Sequence, residues 1–228
     1  SIDQFNLKDK ESIIINNPSG FKRLKEEKTE INLDFQIENC IKIVMINGKL
    51  NTDLSDQIPE NYHIDSINNS NKKSLSKVAG LKHPVVTNNT ENFKNGLYIE
   101  SKQEHPKPIY IINYLYNHDI PTVTFPRIFI QCNQNSDLKV IEHTVSSNHS
   151  RLLNNYVTEI NCDKDSKLEY YIIQNSGSEL YSTGNISIDM HKSSSAKITS
   201  YTIGGEFVKN HISCNLAGEY SELILDGV

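Results

Sequence analysis

One short apolar pattern comes round four times between Ile128 and Leu225, and it restricts the chain to very few folds. The copies are Ile130-Gln131-Cys132-Asn133, Ile160-Asn161-Cys162-Asp163, Ile188-Asp189-Met190-His191 and Ile212-Ser213-Cys214-Asn215. A second apolar strand is predicted after each copy, starting at Leu138, Leu168, Ile198 and Leu223. The copies stand about 24 to 30 residues apart, a period that marks a solenoid whose units bury their apolar faces only by stacking.

Within each copy the apolar residues alternate: Ile128, Ile130, Cys132; Thr158, Ile160, Cys162; Ile186, Ile188, Met190; Ile212, Cys214, Leu216. Alternation of period two is strand, not helix. The positions between are mostly polar: Phe129 and Gln131, Glu159 and Asn161, Ser187 and Asp189, His211 and Ser213. One face of each strand is therefore expected to meet a core and the other to meet water. A sandwich or barrel would show turn signals at closer spacing and hairpin dipeptides. Asn-Gly occurs at Asn47-Gly48 and Asn95-Gly96, both ahead of the repeats. The expected fold is mainly β, a parallel β-helix over 96–228, preceded by a small mixed α/β region over 1–95.

Taken in order, the first 40 residues are polar and weakly patterned, with a short helix or a charged turn at Phe21 to Glu30. Ile41 to Ile46 is a strand that ends at the Asn47-Gly48 turn. Residues 51–75, rich in Asn, Ser and Asp, read as loop, with a short helix as the alternative. Leu75 to Asn92 reads as one helix, interrupted near Pro84. Gly96 to Glu100 starts a strand, Lys102 to Pro108 is a turn, and Ile109 to Tyr114 is a strand.

Composition narrows the function. A hydrophobic content of 36% and a mean hydropathy of -0.50 suit a solenoid with a wet outer face better than a packed globule. A net charge of -5 argues against a nucleic-acid partner. No apolar run reaches the length of a membrane span, so no membrane contact is expected. The first residues, Ser1-Ile2-Asp3-Gln4, carry no apolar signal segment, so a cytoplasmic location is expected. Cys40, Cys132, Cys162 and Cys214 lack zinc-site spacing. Three of them take the same place in the repeat, with Met190 in the remaining copy, which reads as a packed ladder inside the coil.

No catalytic motif stands out. Glu142, His143 and His149 form the densest titratable group, but neighbours on a strand point to opposite faces. His143 is read as a satisfied surface histidine. His143, His191, His211 and Cys214 are the weak candidates for metal contact; no metal or cofactor is expected to be held by the chain. Gly204-Gly205 has no helix or Lys-Ser/Thr pair after it, so it is no P-loop; a corner with positive φ is expected there. Gly218-Glu219 reads as another corner. Asp163 and Asp189, at neighbouring repeat positions, are the thin support for a second reading: a secreted-type carbohydrate-active β-helix enzyme. A structural solenoid that binds protein through its edge is a third.

Several strings resemble the SufB/SufD core family of the SUF iron–sulfur cluster assembly machinery. They are Phe125-Pro126-Arg127, Val140-Ile141-Glu142-His143 after Asn135-Ser136, Asn155 to Ile160, and Tyr170 to Asn175. Gly204 to Asn210 and Leu216 to Glu219 continue the series. Gly96 to Ile99 is similar to the start of that core, and Ile43 to Gly48 to the N-terminal part of SufD-like subunits. The strings run in order from about residue 41. The resemblance implies a right-handed parallel β-helix and a non-enzymatic scaffold of the SufD type. Such a subunit pairs with SufB-like and SufC-like partners, and an iron–sulfur cluster is present only transiently in the full complex. The resemblance also implies later coils, a Cys/His segment and SufC-docking helices with no counterpart before Val228. The β-helix is therefore expected to be truncated at its C-terminal end, and to self-associate through an open terminal coil.

Overall fold

The computed structural model describes residues 21–22, 33, 35, 37–67, 75, 77–80, 82–101, 107–117, 120–147 and 151–228. The expected feature at Phe21 to Glu30 lies outside the described residues beyond Lys22. So do His149 and most of the turn after Lys102.

The chain is a parallel β-solenoid of two facing sheets. Sheet A holds β3 (Tyr62–Ser66), β4 (Leu97–Ser101), β6 (Thr122–Thr124), β7 (Arg127–Cys132), β9 (Leu152–Cys162), β11 (Leu180–Met190) and β13 (Phe207–Leu216). Sheet B holds β1 (Ile41–Ile46), β2 (Lys49–Asn51), β5 (Ile109–Leu115), β8 (Asp137–Ser146), β10 (Lys167–Ser176), β12 (Ser195–Gly204) and β14 (Glu222–Gly227). From β7 onward the chain alternates between the sheets, and each strand pairs in parallel with its counterpart one coil later. The start of each sheet is closed by an antiparallel strand. β1 and β2 form a hairpin on Asn47-Gly48, both at positive φ, the backbone that a two-residue hairpin requires. β3 runs antiparallel to β4. Residue 95 falls between α1 (Pro84–Asn92) and β4, and the sheets reach back to Ile41 through the β1–β5 pairing.

Stacking in register explains the repeat. Ile99, Ile130, Ile160 and Ile188 form one buried ladder, and Val140, Tyr170 and Ile198 form another in the facing sheet. Each fully buried apolar side chain contributes about 1.5–3 kcal/mol. The turns stack too. Asn135, Asp165, Ser193 and Tyr220 hold positive φ of 61, 59, 56 and 60° at successive corners. Asn and Asp tolerate that backbone because their short side chains bond locally. Main-chain bonds link the corners: Asn135 N–H donates to Lys164 O at 3.2 Å and Asp165 N–H to Lys192 O at 3.0 Å.

Register corrects the repeat at its last copy. Cys132 pairs with Cys162, and Cys162 with Met190, but Met190 pairs with Leu216. Cys214 pairs with Ile188 and so extends the isoleucine ladder instead. In the second strands, Leu168 pairs with Ala196, while Ile198 belongs beside Tyr170 and Leu225. The coils shorten along the chain: Ile128 meets Thr158, Thr158 meets Ile186, and Ile186 meets Ile212. A two-residue slip preserves strand alternation, so apolar pattern alone cannot detect it.

Three local expectations also change. Pro84 begins α1 instead of interrupting a helix from Leu75. At the first helical position its missing N–H costs nothing, and the His83 side chain caps the end by accepting from Val85 N–H at 3.3 Å. Residues 51–75, read as loop, contain β3, whose Tyr62 and Ile64 are buried beside Ile99. The outer face of sheet A is not wet along its length. Arg127, Phe129, Glu159 and Ser187 are all buried; Arg127 and Glu159 lie under a strap formed by α1 and the turn at 77–80, and Phe129 stacks on Tyr98. α1 is rich in Val, Thr and Asn, poor helix formers, so its contacts with β9 and β11 hold it in shape. On sheet B, Leu33, Phe35 and Leu54 cover Val44, Tyr110 and Ile112. Among the described residues no helix is long and apolar enough to cross a membrane.

Candidate functional site

Two buried polar centres interrupt the apolar core. The first lies inside the coils. Glu142 follows Leu138 and Val140 on the inward face of β8, in register between Ile111 and Ile172. The Tyr170 hydroxyl donates to its carboxylate. Burial pushes the Glu142 carboxyl up to about 7, against the opposing effect of the Tyr170 bond. This group holds or releases a proton near neutrality within a closed interior. On the facing wall, Tyr156 OH donates to Asn210 Oδ1 at 2.8 Å. Burial, with the Glu142 charge second, raises the Tyr156 phenol far above its usual range.

Gly184 makes room for that phenol. It is the register partner of Tyr156, and a Cβ built there would overlap the Tyr156 ring. The ring cannot swing away cheaply, because it is buried and bonded at its tip to Asn210. Gly184→Ala is therefore expected to cost about 1–3 kcal/mol, as overpacking does. A drop in urea midpoint at unchanged m value would show it; a midpoint at the wild-type value would refute the packing argument.

The second centre pins the strap to sheet A. Arg127 of β7 and Glu159 of β9 form an ion pair whose side chains are both 0% exposed. Arg127 Nη1 also donates to Asn89 Oδ1 and Thr90 Oγ1, each at 3.1 Å, and its guanidinium sits 5.6 Å from the Phe93 ring centroid. The Glu159 carboxylate further accepts from Val78 N–H at 3.3 Å and Ala79 N–H at 3.1 Å. Asn89 Nδ2 donates to the main-chain oxygens of Pro126 and Asn155. Every contact joins the strap to the solenoid or one coil to the next, so the arrangement is a clamp.

The four metal candidates do not converge. His143 lies on the outer face of sheet B, half-buried, with Nδ1 bonded to Tyr110 OH at 2.8 Å and the Phe35 ring against it. It is satisfied on that side, as expected, but it is covered by Phe35 and is no plain surface residue; burial holds its imidazole below the usual value. His191 sits at a corner, 3.2 Å from Asn161 Oδ1. His211 stacks on His83. Cys214 lies in the interior ladder, its thiol raised by burial. Among the described residues no group of three His, Cys, Asp or Glu is placed to hold a metal ion.

Cys132 and Cys162 are adjacent, buried and free. The contact with Cys162, and then burial, hold the Cys132 thiol well above its usual range, so it stays protonated. Asp163 and Asp189 accept from neighbouring amides, Asp163 from Gln131 and Asn161, Asp189 from Asn215. The Gln131–Asp163 and Asn215–Asp189 bonds tie adjacent coils together. Gly204 and Gly205 have φ of 78 and 82°, the expected corner. At Gly218 the positive φ belongs to Tyr220, and the glycine lets this corner lie against the main chain of His191 and Lys192.

Sequence reasoning gave no role to Arg127, Glu159 or Asn89. The available signal was an oppositely charged pair on neighbouring coils, two residues out of register, both on a face expected to meet water. Compared with known families, residues 114–228 match the family described as SUF system FeS cluster assembly, SufBD core domain. No curated protein matches the chain.

Proposed function

The chain belongs to the SufBD core family of the SUF iron–sulfur cluster assembly system, and from that premise we propose that it is a non-catalytic scaffold subunit of the SufD type. The observation that carries this reading is the coincidence of the family match with the regular coils from β8 to β14. The buried polar groups of those coils support it: they bond to one another and to main chain, as parts of a frame do. The iron–sulfur cluster is then cargo of the whole complex, and SufB-like and SufC-like subunits are the partners. Four free thiols suit a reducing compartment such as the cytoplasm.

Co-expression of the complete gene product with SufB-like and SufC-like subunits tests the reading. Co-purification of all three at fixed stoichiometry is expected, with no ATPase activity in this subunit alone. Failure to associate with either partner would sink it.

A further inference from the structure

We propose that the interior of the coils binds ordered water, in a file along the stacked residues Asn113, Thr144 and Gln174. These residues face inward on β5, β8 and β10, and they share a register: Asn113 pairs with Thr144, and Thr144 with Gln174. Asn113 is 1% exposed and Gln174 3%. Among the described residues, neither amide atom of Asn113 has a hydrogen-bond partner. The same holds for Gln174 Nε2 and for the hydroxyl of Ser176, the next inward residue on β10. Glu142 stands one inward position before Thr144, so the polar part of the interior runs from that carboxyl to Ser176.

The neighbours in the stack cannot serve these groups. A side-chain amide brings two donor hydrogens and an acceptor oxygen. The inward neighbours of Asn113 are Ile111 and Leu115 on its own strand, Met45 on β1 and Thr144 on β8. Only Thr144 has a hydroxyl, and one hydroxyl cannot meet all the needs of an amide. Neighbouring strands lie about 4.8 Å apart, so Asn113 and Gln174, two strands apart, cannot reach each other past Thr144. The opposite sheet shows what a closed ladder looks like. There Thr124 Oγ1 donates to Asn154 Oδ1 at 3.0 Å, and Asn154 Nδ2 to Ser182 Oγ at 3.1 Å. Buried polar groups find a partner, and water supplies it where side chains do not. The stack also has room. Thr144 and Ile172 keep 7% and 5% of their surface open although both face inward, while Ile111 and Val140 on the same face keep 0%. A Cβ at Gly205 would stand 3.8 Å from Gln174 Nε2, so this corner glycine leaves space beside the amide.

Magnetic relaxation of water on the intact chain tests this. Cross-relaxation from water to the side-chain amides of Asn113 and Gln174 is expected to show water held there for longer than a nanosecond. This measurement needs no variant. Oxygen-17 relaxation dispersion then counts the long-lived waters. Asn113→Leu and Gln174→Met each remove one amide at similar volume. Each is expected to lower the dispersion amplitude by the equivalent of at least one water. Asn215→Ala, which removes an exposed amide on the outer face, is expected to leave it unchanged. Asn113→Leu is further expected to keep a urea midpoint at or above wild type, because it breaks no bond within the protein. A wild-type chain with no long-lived water at either amide would overturn the proposal. So would an amplitude that stays at the wild-type value in both Asn113→Leu and Gln174→Met.

Discussion

Arg127→Met will destabilise the chain by about 3–5 kcal/mol, the cost of removing one partner from a buried ion pair. The loss takes the guanidinium away from a Glu159 carboxylate that is 0% exposed. Val78 and Ala79 N–H still donate to it, but two amide donors do not replace a guanidinium. Asn89 and Thr90 lose their bonds to the guanidinium, so the strap is held less tightly, although Asn89 Nδ2 keeps the main-chain oxygens of Pro126 and Asn155. Set against a typical total of about 5–15 kcal/mol, this is a large share of stability. The double variant Arg127→Met, Glu159→Leu removes both charges and fills the space with apolar atoms. It is expected to recover most of the loss, because the penalty comes from an unpaired charge. Urea midpoints for the two single variants, Arg127→Met and Glu159→Leu, and for the double variant give the coupling energy. A single variant within about 1 kcal/mol of wild type, or a double variant as weak as the sum of its parts, would show that the pair does not clamp the strap.

Why this clamp was hidden in the sequence follows from what periodicity records. Alternation in β7 and β9 tells which side chains face the interior, and Ile128, Ile130, Thr158 and Ile160 do so. It says nothing about what covers the opposite face. Arg127 and Glu159 are outward in the strand sense and buried in the tertiary sense, because α1 comes from elsewhere in the chain. α1 itself carries no legible apolar stripe; only Val85 and Val86 pack against Val157. By contrast, the solenoid was legible because its core is built locally. Each coil repeats the same inward positions, so the ladder Ile99, Ile130, Ile160, Ile188 is written into the chain at nearly constant spacing.

The limits of that legibility show at Cys214. Its motif copies the earlier ones letter for letter at Ile212 and Cys214, yet the coil before it is shorter and the pairing moves by two residues. Cα register, set by the stacked corners at Ser193 and Tyr220, decides the ladder, and the sequence motif does not. The three-cysteine ladder read as packing inside the coil becomes a Cys132–Cys162 pair continued by Met190 and Leu216. Glu142 was better signalled than it was read. Leu138, Val140 and Thr144 alternate around it, which fixes it to the inward face.

That inward carboxyl gives the chain an unusual pH dependence. Burial raises the folded-state Glu142 from 4.5 to about 7. A group raised on folding contributes fully below its unfolded value, and the contribution is lost as pH rises through the folded one. Stability should therefore decline between about pH 4.5 and pH 7 and be lower by roughly 3 kcal/mol above that interval, at 1.36 kcal/mol per unit. Glu142→Gln keeps the shape and an oxygen for the Tyr170 hydroxyl to meet, but it cannot ionise. It is expected to match wild type near pH 4.5 and to exceed it by roughly 3 kcal/mol at pH 8. Tyr170→Phe should act in the opposite sense, since it removes the donor that supports the ionised form. Urea melts of the three proteins across this range separate the effects. Parallel stability curves for wild type and Glu142→Gln would mean that the interior charge is solvated or compensated, and that Glu142 is not the proton-holding centre of the coil.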